Sequence, residues 1–362
     1  MKRVLHYKIY LCFLLAPLLL IAATDKKGKY TKEKKISKSY SVNANATLKV
    51  DNSYGNVNIV TWEGNQIAFE ITITASGDDE EKVQDKLDNI NIKFSSSPEW
   101  VSAQTVFNKS NSGSWWKWNS NNKIHMKINY IVKIPITNSV KIHNDYGNIN
   151  IAKLEGKAEI YCNYGKITTK ELLANDNVIN FDYTSNCYFE YIKTGRINAD
   201  YSGFTVAKTN NLEINADYTK SEVEIAEDIN YNCDYGSLKV HKTNSLNGNG
   251  DYLTLQLGDL YKSASIKSDY GSIKIMKLHK NLNELIINSD YTGVKIGYDP
   301  ALNFNFDLEL DYAGVCGSEE FKFNKKVKES QRKYYIGSYG NENSNCKIVV
   351  DSEYGGITFF KN

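Results

Sequence analysis

The residues whose types and spacing could do chemistry in this chain are carboxylates set beside tyrosines. Asp145, Asp182, Asp200, Asp217, Asp234, Asp251, Asp269, Asp290 and Asp311 are each followed directly by Tyr. Looser copies read Ser53-Tyr54-Gly55, Asn163-Tyr164-Gly165, Ser338-Tyr339-Gly340 and Glu353-Tyr354-Gly355. From Tyr146 to Tyr270 the tyrosines of this series lie 17–19 residues apart. Two readings fit one carboxylate per repeat. A column of carboxylates and carbonyls suits calcium. Alternatively, each Asp caps its own turn by accepting a bond from the backbone two residues on, with the following Gly at positive φ. Capping is the preferred reading. Asn163 and Ser338 interrupt a ladder but not a cap, and the Gly-rich nonapeptide of calcium-binding solenoids is missing. No metal and no cofactor is expected.

Other candidates are fewer. Trp115, Trp116 and Trp118 crowd a Ser/Asn/Gly-rich stretch and read either as a partner or glycan contact or as a plug over an open end of the fold. Arg196, Asp200 and Asp217 are the only grouping with the makings of a polysaccharide lyase or hydrolase. His125, His143, His241 and His279 have no metal-ligand spacing, and no nucleophile elbow, phosphate loop or zinc signature occurs. No catalytic residue is assigned. Of six cysteines, Cys162, Cys187, Cys233, Cys316 and Cys346 follow the leader. Cys162, Cys187, Cys233 and Cys316 read as small core residues, with a Cys316–Cys346 bridge as an alternative for the last.

The elements that position these residues follow from the pattern around each tyrosine. Positions six and four before it are apolar (Val140 and Ile142, Leu212 and Ile214), and position two before is often small. Positions three and five after it are apolar again (Ile149 and Ile151, Ile273 and Ile275). Alternation with polar residues marks two short strands around a corner. By the same parity the tyrosine is expected on the inner face. One such unit cannot bury its apolar side alone, so units must stack. The expected fold is all-β, a single-stranded β-solenoid (a β-helix, right-handed) of about 17–21 residues per coil.

In chain order, residues 1–23 carry Lys2, Arg3 and Lys8 before an apolar run and read as a signal peptide. A polar linker is expected over 24–39 and a first coil over 40–62. Residues 63–136 read as an inserted antiparallel sheet with one short helix, capped by Asp78 or Asp79, and the Trp-bearing loop. The solenoid resumes over 137–362 and ends in coils around Tyr339 and Tyr354. The formal charge is +2. Removing the leader leaves 41 cations against 42 acids, and the only arginines are Arg3, Arg196 and Arg332. That excludes a basic footprint for nucleic acid and argues against bidentate phosphate clamps. No later stretch is apolar enough to span a bilayer.

The Asp-Tyr-Gly coils, the leader and the segment Gly55-Asn56-Val57-Asn58-Ile59-Val60-Thr61-Trp62 together resemble a bacterial family, the β-strand-repeat "putative adhesin" envelope proteins related to the head-GIN group of Bacteroidota. The resemblance implies an exported β-solenoid located in the periplasm, on the outer surface or secreted. It carries no catalytic residues over. The implied role is a non-enzymatic envelope protein, adhesin-like or structural, with an unknown surface protein or glycan as partner. Alternatives are the lyase or hydrolase above and an envelope stress or signalling accessory.

Overall fold

The computed structural model describes residues 28–108 and 124–362. The expected leader and Trp115, Trp116 and Trp118 lie outside the described residues. Among these residues the chain is almost all β, with 26 strands in one open sheet and a single short helix. Among them, too, no helix is long and apolar enough to cross a membrane.

Successive repeats lie directly on one another. Asp182 pairs with Asp200, Asp200 with Asp217 and Asp217 with Asp234, all in parallel register. The inward residues stack accordingly, so Ile179, Ile197 and Ile214 form one buried file. Burying each such side chain stabilises by about 1.5–3 kcal/mol. The files join into one core along the length of the molecule.

The N-terminal part comprises β1 (Tyr30–Ser41), β2 (Thr47–Ser53), β3 (Val57–Trp62), β4 (Gln66–Gly77), α1 (Glu80–Asp88), β5 (Ile90–Ser97), β6 (Trp100–Phe107), β7 (His125–Pro135), β8 (Ser139–Asp145) and β9 (Ile149–Ile151). β2 pairs in parallel with β8, Ser53 against Asp145, and β3 pairs with β9. The chain between them leaves the stack and returns to it. On the opposite side β2 pairs with β6 and β3 with β7, so β6 and β7 occupy the place of a preceding repeat. The antiparallel partners β5 on β6 and β4 on β7 extend the same sheet. α1 is capped by Asp79, whose side chain accepts from Lys82 N at 3.2 Å, and buries Val83 and Leu87.

Two expectations need correcting. Residues 30–41 are not linker but β1, paired antiparallel with β4 through twelve residues. Its apolar content is low because backbone pairing holds it, and its lysines suit an edge strand that must not recruit another chain. Tyr339 heads no repeat. Its strand, Arg332–Tyr339, runs antiparallel to Phe304–Asp311, and its ring packs on Phe304 at 5.4 Å. The strand Lys347–Glu353 meanwhile inserts between Glu284–Asp290 and Phe304–Asp311, parallel to both. The last repeat in the chain is therefore the next-to-last in space. The connection over residues 340–346 crosses the start of Phe304–Asp311, where Asn341 N donates to Asn303 Oδ1 and Asn305 Nδ2 donates to Ser344 O.

Candidate functional site

Each repeat turns its corner at the tyrosine itself. Twelve tyrosines adopt φ between 49° and 65°, out of fifteen non-glycine residues with positive φ among the described residues. A bulky side chain there is a clear outlier. The reversal swings the side chain off the inner face, so the tyrosines point outward, contrary to the parity expectation. Eleven of them are about half exposed, at 47–56%, and Tyr54 is 37% exposed. The glycine that follows in six copies (Gly55, Gly147, Gly165, Gly236, Gly271 and Gly355) does not have the positive φ expected of it. It is needed because the neighbouring backbone comes too close: a Cβ on Gly165 would meet Gly147 O at 2.0 Å, and one on Gly147 would meet Gly55 O at 1.8 Å.

The outward rings form one continuous column. In space the order is Tyr54, 146, 164, 183, 201, 218, 235, 252, 270, 291, 354 and 312, with centroids 4.6–5.3 Å apart and planes within 10°. Eleven strand spacings of ~4.8 Å make a ridge roughly 50 Å long. Because the faces lie against each other, the ridge presents ring edges and hydroxyls. Packing raises the pKa of the Tyr235 and Tyr354 hydroxyls, chiefly through lost solvation and then through the flanking tyrosines. At one end, Phe107 of β6 meets Tyr54 edge-on.

Beside the ridge runs the carboxylate column. All nine aspartates named above directly precede a column tyrosine, and Glu353 adds a tenth acid. The bonds they make run between repeats rather than within a turn. Asp200 N donates to Asp182 Oδ1, Asp217 N to Asp200 Oδ1, Asp234 N to Asp217 Oδ1 and Asp251 N to Asp234 Oδ1, at 2.8–3.2 Å. Asn163 shows that an amide also fits this column, donating through Nδ2 to Asp145 Oδ1 at 3.0 Å. Where the glycine is replaced, a hydroxyl ties the corner: Ser202 Oγ donates to Asp200 O, and Thr219 Oγ1 to Asp217 O.

A third column was not singled out in the sequence, although Asn recurs there two residues before Asp182, Asp200, Asp217, Asp234 and Asp251. Asn180, Asn198, Asn215, Asn232 and Asn249 line up outward, with Asn198 Nδ2 donating to Asn180 Oδ1 and Asn215 Nδ2 to Asn198 Oδ1. Between the two columns lies a shallow groove of about 320 Å³, lined by Asp182, Asp200 and Asp217 with Asn180, Asn198 and Asn215.

The remaining candidates fare differently. Asp200 and Asp217 are neighbours, but the Arg196 guanidinium is held by Glu213 at 2.8 Å rather than converging with them. His143 lies 3.5 Å from both Asp51 and Asp145, and His241 lies 2.7 Å from Glu222. Among the described residues no three potential ligands gather as a metal site. All five described cysteines are unbridged, and Cys316 is exposed rather than buried, because it lies at the edge of a two-residue strand. Burial pushes the Cys162, Cys233 and Cys346 thiols up to about 12.

No protein-family model and no curated protein matches this chain. Several solved structures are similar to it over most of their length. A "putative adhesin" from Parabacteroides distasonis is 10% identical, covering 90% of this chain and 97% of that one, with a TM-score of 0.32. Another from Parabacteroides merdae is 14% identical over 74% and 92%, at 0.31. A protein titled "Putative lipid binding protein" from Parabacteroides distasonis is 10% identical over 92% and 98%, at 0.30. These TM-scores fall below those of chains that superpose as one fold.

Proposed function

We propose that the stacked repeats constitute a β-solenoid that is exported to the cell envelope and acts there as a non-enzymatic, adhesin-like binding protein. Its binding surface is the tyrosine ridge with the flanking Asp and Asn columns. The observation that carries this reading is the positive φ repeated at twelve tyrosines. A left-handed backbone costs an ordinary L-residue about 1–2 kcal/mol, while Asn and Gly adopt it readily. Each ring stack returns about 0.5–1.5 kcal/mol. The two terms are of the same size, so fold stability alone gives little reason to place Tyr rather than Asn at these corners. Strain retained at many positions points to a use for the side chain. A half-exposed aromatic ridge is also an uncommon surface for a protein without a partner.

The ridge is continuous and periodic, which suits an extended polymer lying along it rather than a small molecule. The test is a glycan and peptide array probed with the purified protein and with a Tyr201→Asn, Tyr218→Asn, Tyr235→Asn variant. Asn keeps the backbone conformation and removes the rings. At least tenfold weaker binding by the variant, with unchanged circular dichroism, is expected. Equal binding by both, or no binding by the wild type, rejects the ridge as the surface.

A further inference from the structure

We infer that the partner of this ridge is an extended polypeptide in the polyproline II conformation, carrying a basic side chain at every third residue. The inference rests on the ridge being the binding surface and adds the chemistry of its occupant.

Charge sets the sign. Beside the exposed tyrosines, the strip from residue 180 to residue 251 presents only Asn and Asp in its two outward columns. Asp182, Asp200, Asp217, Asp234 and Asp251 make no ion pair among the described residues. The fold does not require these charges, since Asn163 fills the same position and bonds its neighbour. Carboxylates one strand spacing apart repel, so a cationic occupant lying along the tyrosines relieves a strain already present. The formal charge of the whole chain is +2, so no overall field draws a polycation to other faces.

Spacing selects the conformation. Two repeats advance about 9.6 Å along the ridge. A polyproline II chain advances about 3.1 Å per residue and turns once in three residues, so every third side chain returns to one face after about 9.3 Å. The mismatch is about 0.3 Å per turn, so the two turns that span Asp182, Asp217 and Asp251 remain in step with alternate aspartates. A β-strand repeats its face at about 6.7 Å and falls out of step at once. Polyproline II also leaves its carbonyls without internal hydrogen bonds. The Asn amides and Tyr hydroxyls along the strip supply donors for them.

The experiment measures binding of fluorescent (Pro-Pro-Lys)6, (Pro-Pro-Gln)6, (Lys-Val)9 and a chitosan hexamer to the full chain by anisotropy at 50 and 300 mM NaCl. Two variants accompany it: the five-fold Asp182, Asp200, Asp217, Asp234 and Asp251→Asn, and the three-fold Tyr→Asn above. (Pro-Pro-Lys)6 is expected to bind most tightly, to weaken at least tenfold in the Asp variant and in the Tyr variant, and to weaken with salt. Equal binding of (Pro-Pro-Gln)6 overturns the basic character of the partner but leaves the ridge as the surface. Tighter binding of (Lys-Val)9 overturns the conformation. Chitosan binding without peptide binding makes the occupant an amino-sugar polymer and overturns the peptide. Binding of (Pro-Pro-Lys)6 that ignores the Tyr variant overturns the ridge itself.

Discussion

Replacing Asp182, Asp200, Asp217, Asp234 and Asp251 together by Asn should make the protein more stable, which is an unusual expectation for five simultaneous changes. The change removes five adjacent like-charge contacts, counting that between Asp251 and Asp269. At a separation of about 4.8 Å in water, each contact costs about 0.9 kcal/mol. A Debye length of about 8 Å at physiological salt reduces this to about 0.5 kcal/mol. The variant should therefore gain about 2–3 kcal/mol. The backbone bonds that the carboxylates accept from the next repeat pass to amide oxygens, which accept them more weakly. The new amide donors offset that loss in the way Asn163 bonds Asp145. Urea unfolding at 50 mM and 500 mM NaCl reads the effect as a shift in midpoint at constant slope. The wild type should gain more from salt than the variant does. A variant that is less stable at both salt concentrations, with wild-type stability indifferent to salt, would refute the claim that the column is an electrostatic burden on the fold.

Two further outcomes test the local geometry. Gly165→Ala should destabilise by about 2–4 kcal/mol, because its Cβ meets Gly147 O at 2.0 Å and Cys162 Sγ at 3.0 Å with backbone on one side; thermal unfolding would show it, and a neutral result would mean the repeats are not packed this closely. The buried thiols Cys162, Cys233 and Cys346, pushed up to about 12 in the folded chain, hold their protons longer than in the unfolded state, where they ionise near 8.5. Their contribution is intact below about pH 8.5 and is lost as pH rises towards 12. A Cys162→Ala, Cys233→Ala, Cys346→Ala variant should accordingly show a shallower fall of urea midpoint between pH 8.5 and 10.5 than the wild type.

The stacking of repeats is legible in the sequence because strand alternation and a 17–19-residue period are local signals, and Ile179, Ile197 and Ile214 stack as the pattern requires. The outward turn of the tyrosines is not, since parity holds along a strand and fails across a residue with positive φ. Polar alternation hides β1, whose Lys32, Lys34 and Lys38 give no apolar rhythm while its backbone pairs throughout with β4. The position of Tyr354 between Tyr291 and Tyr312 depends on which strand docks on which, a choice that spacing along the chain does not encode. In the ridge, the Asp and Tyr columns stand out by repetition, whereas the Asn column reads as ordinary solvated polarity until its amides are seen to bond one another.

The threading of Lys347–Glu353 between Glu284–Asp290 and Phe304–Asp311 sets the order of assembly. A stack built strictly in chain order would lay Phe304–Asp311 straight onto Glu284–Asp290 and leave no place for Lys347–Glu353. The earlier strand must wait, tethered by its hairpin, until some forty more residues have arrived. This end of the sheet is therefore closed up by the segment that comes last in the chain, and among the described residues Phe304–Asp311 reaches the rest of the stack only through it.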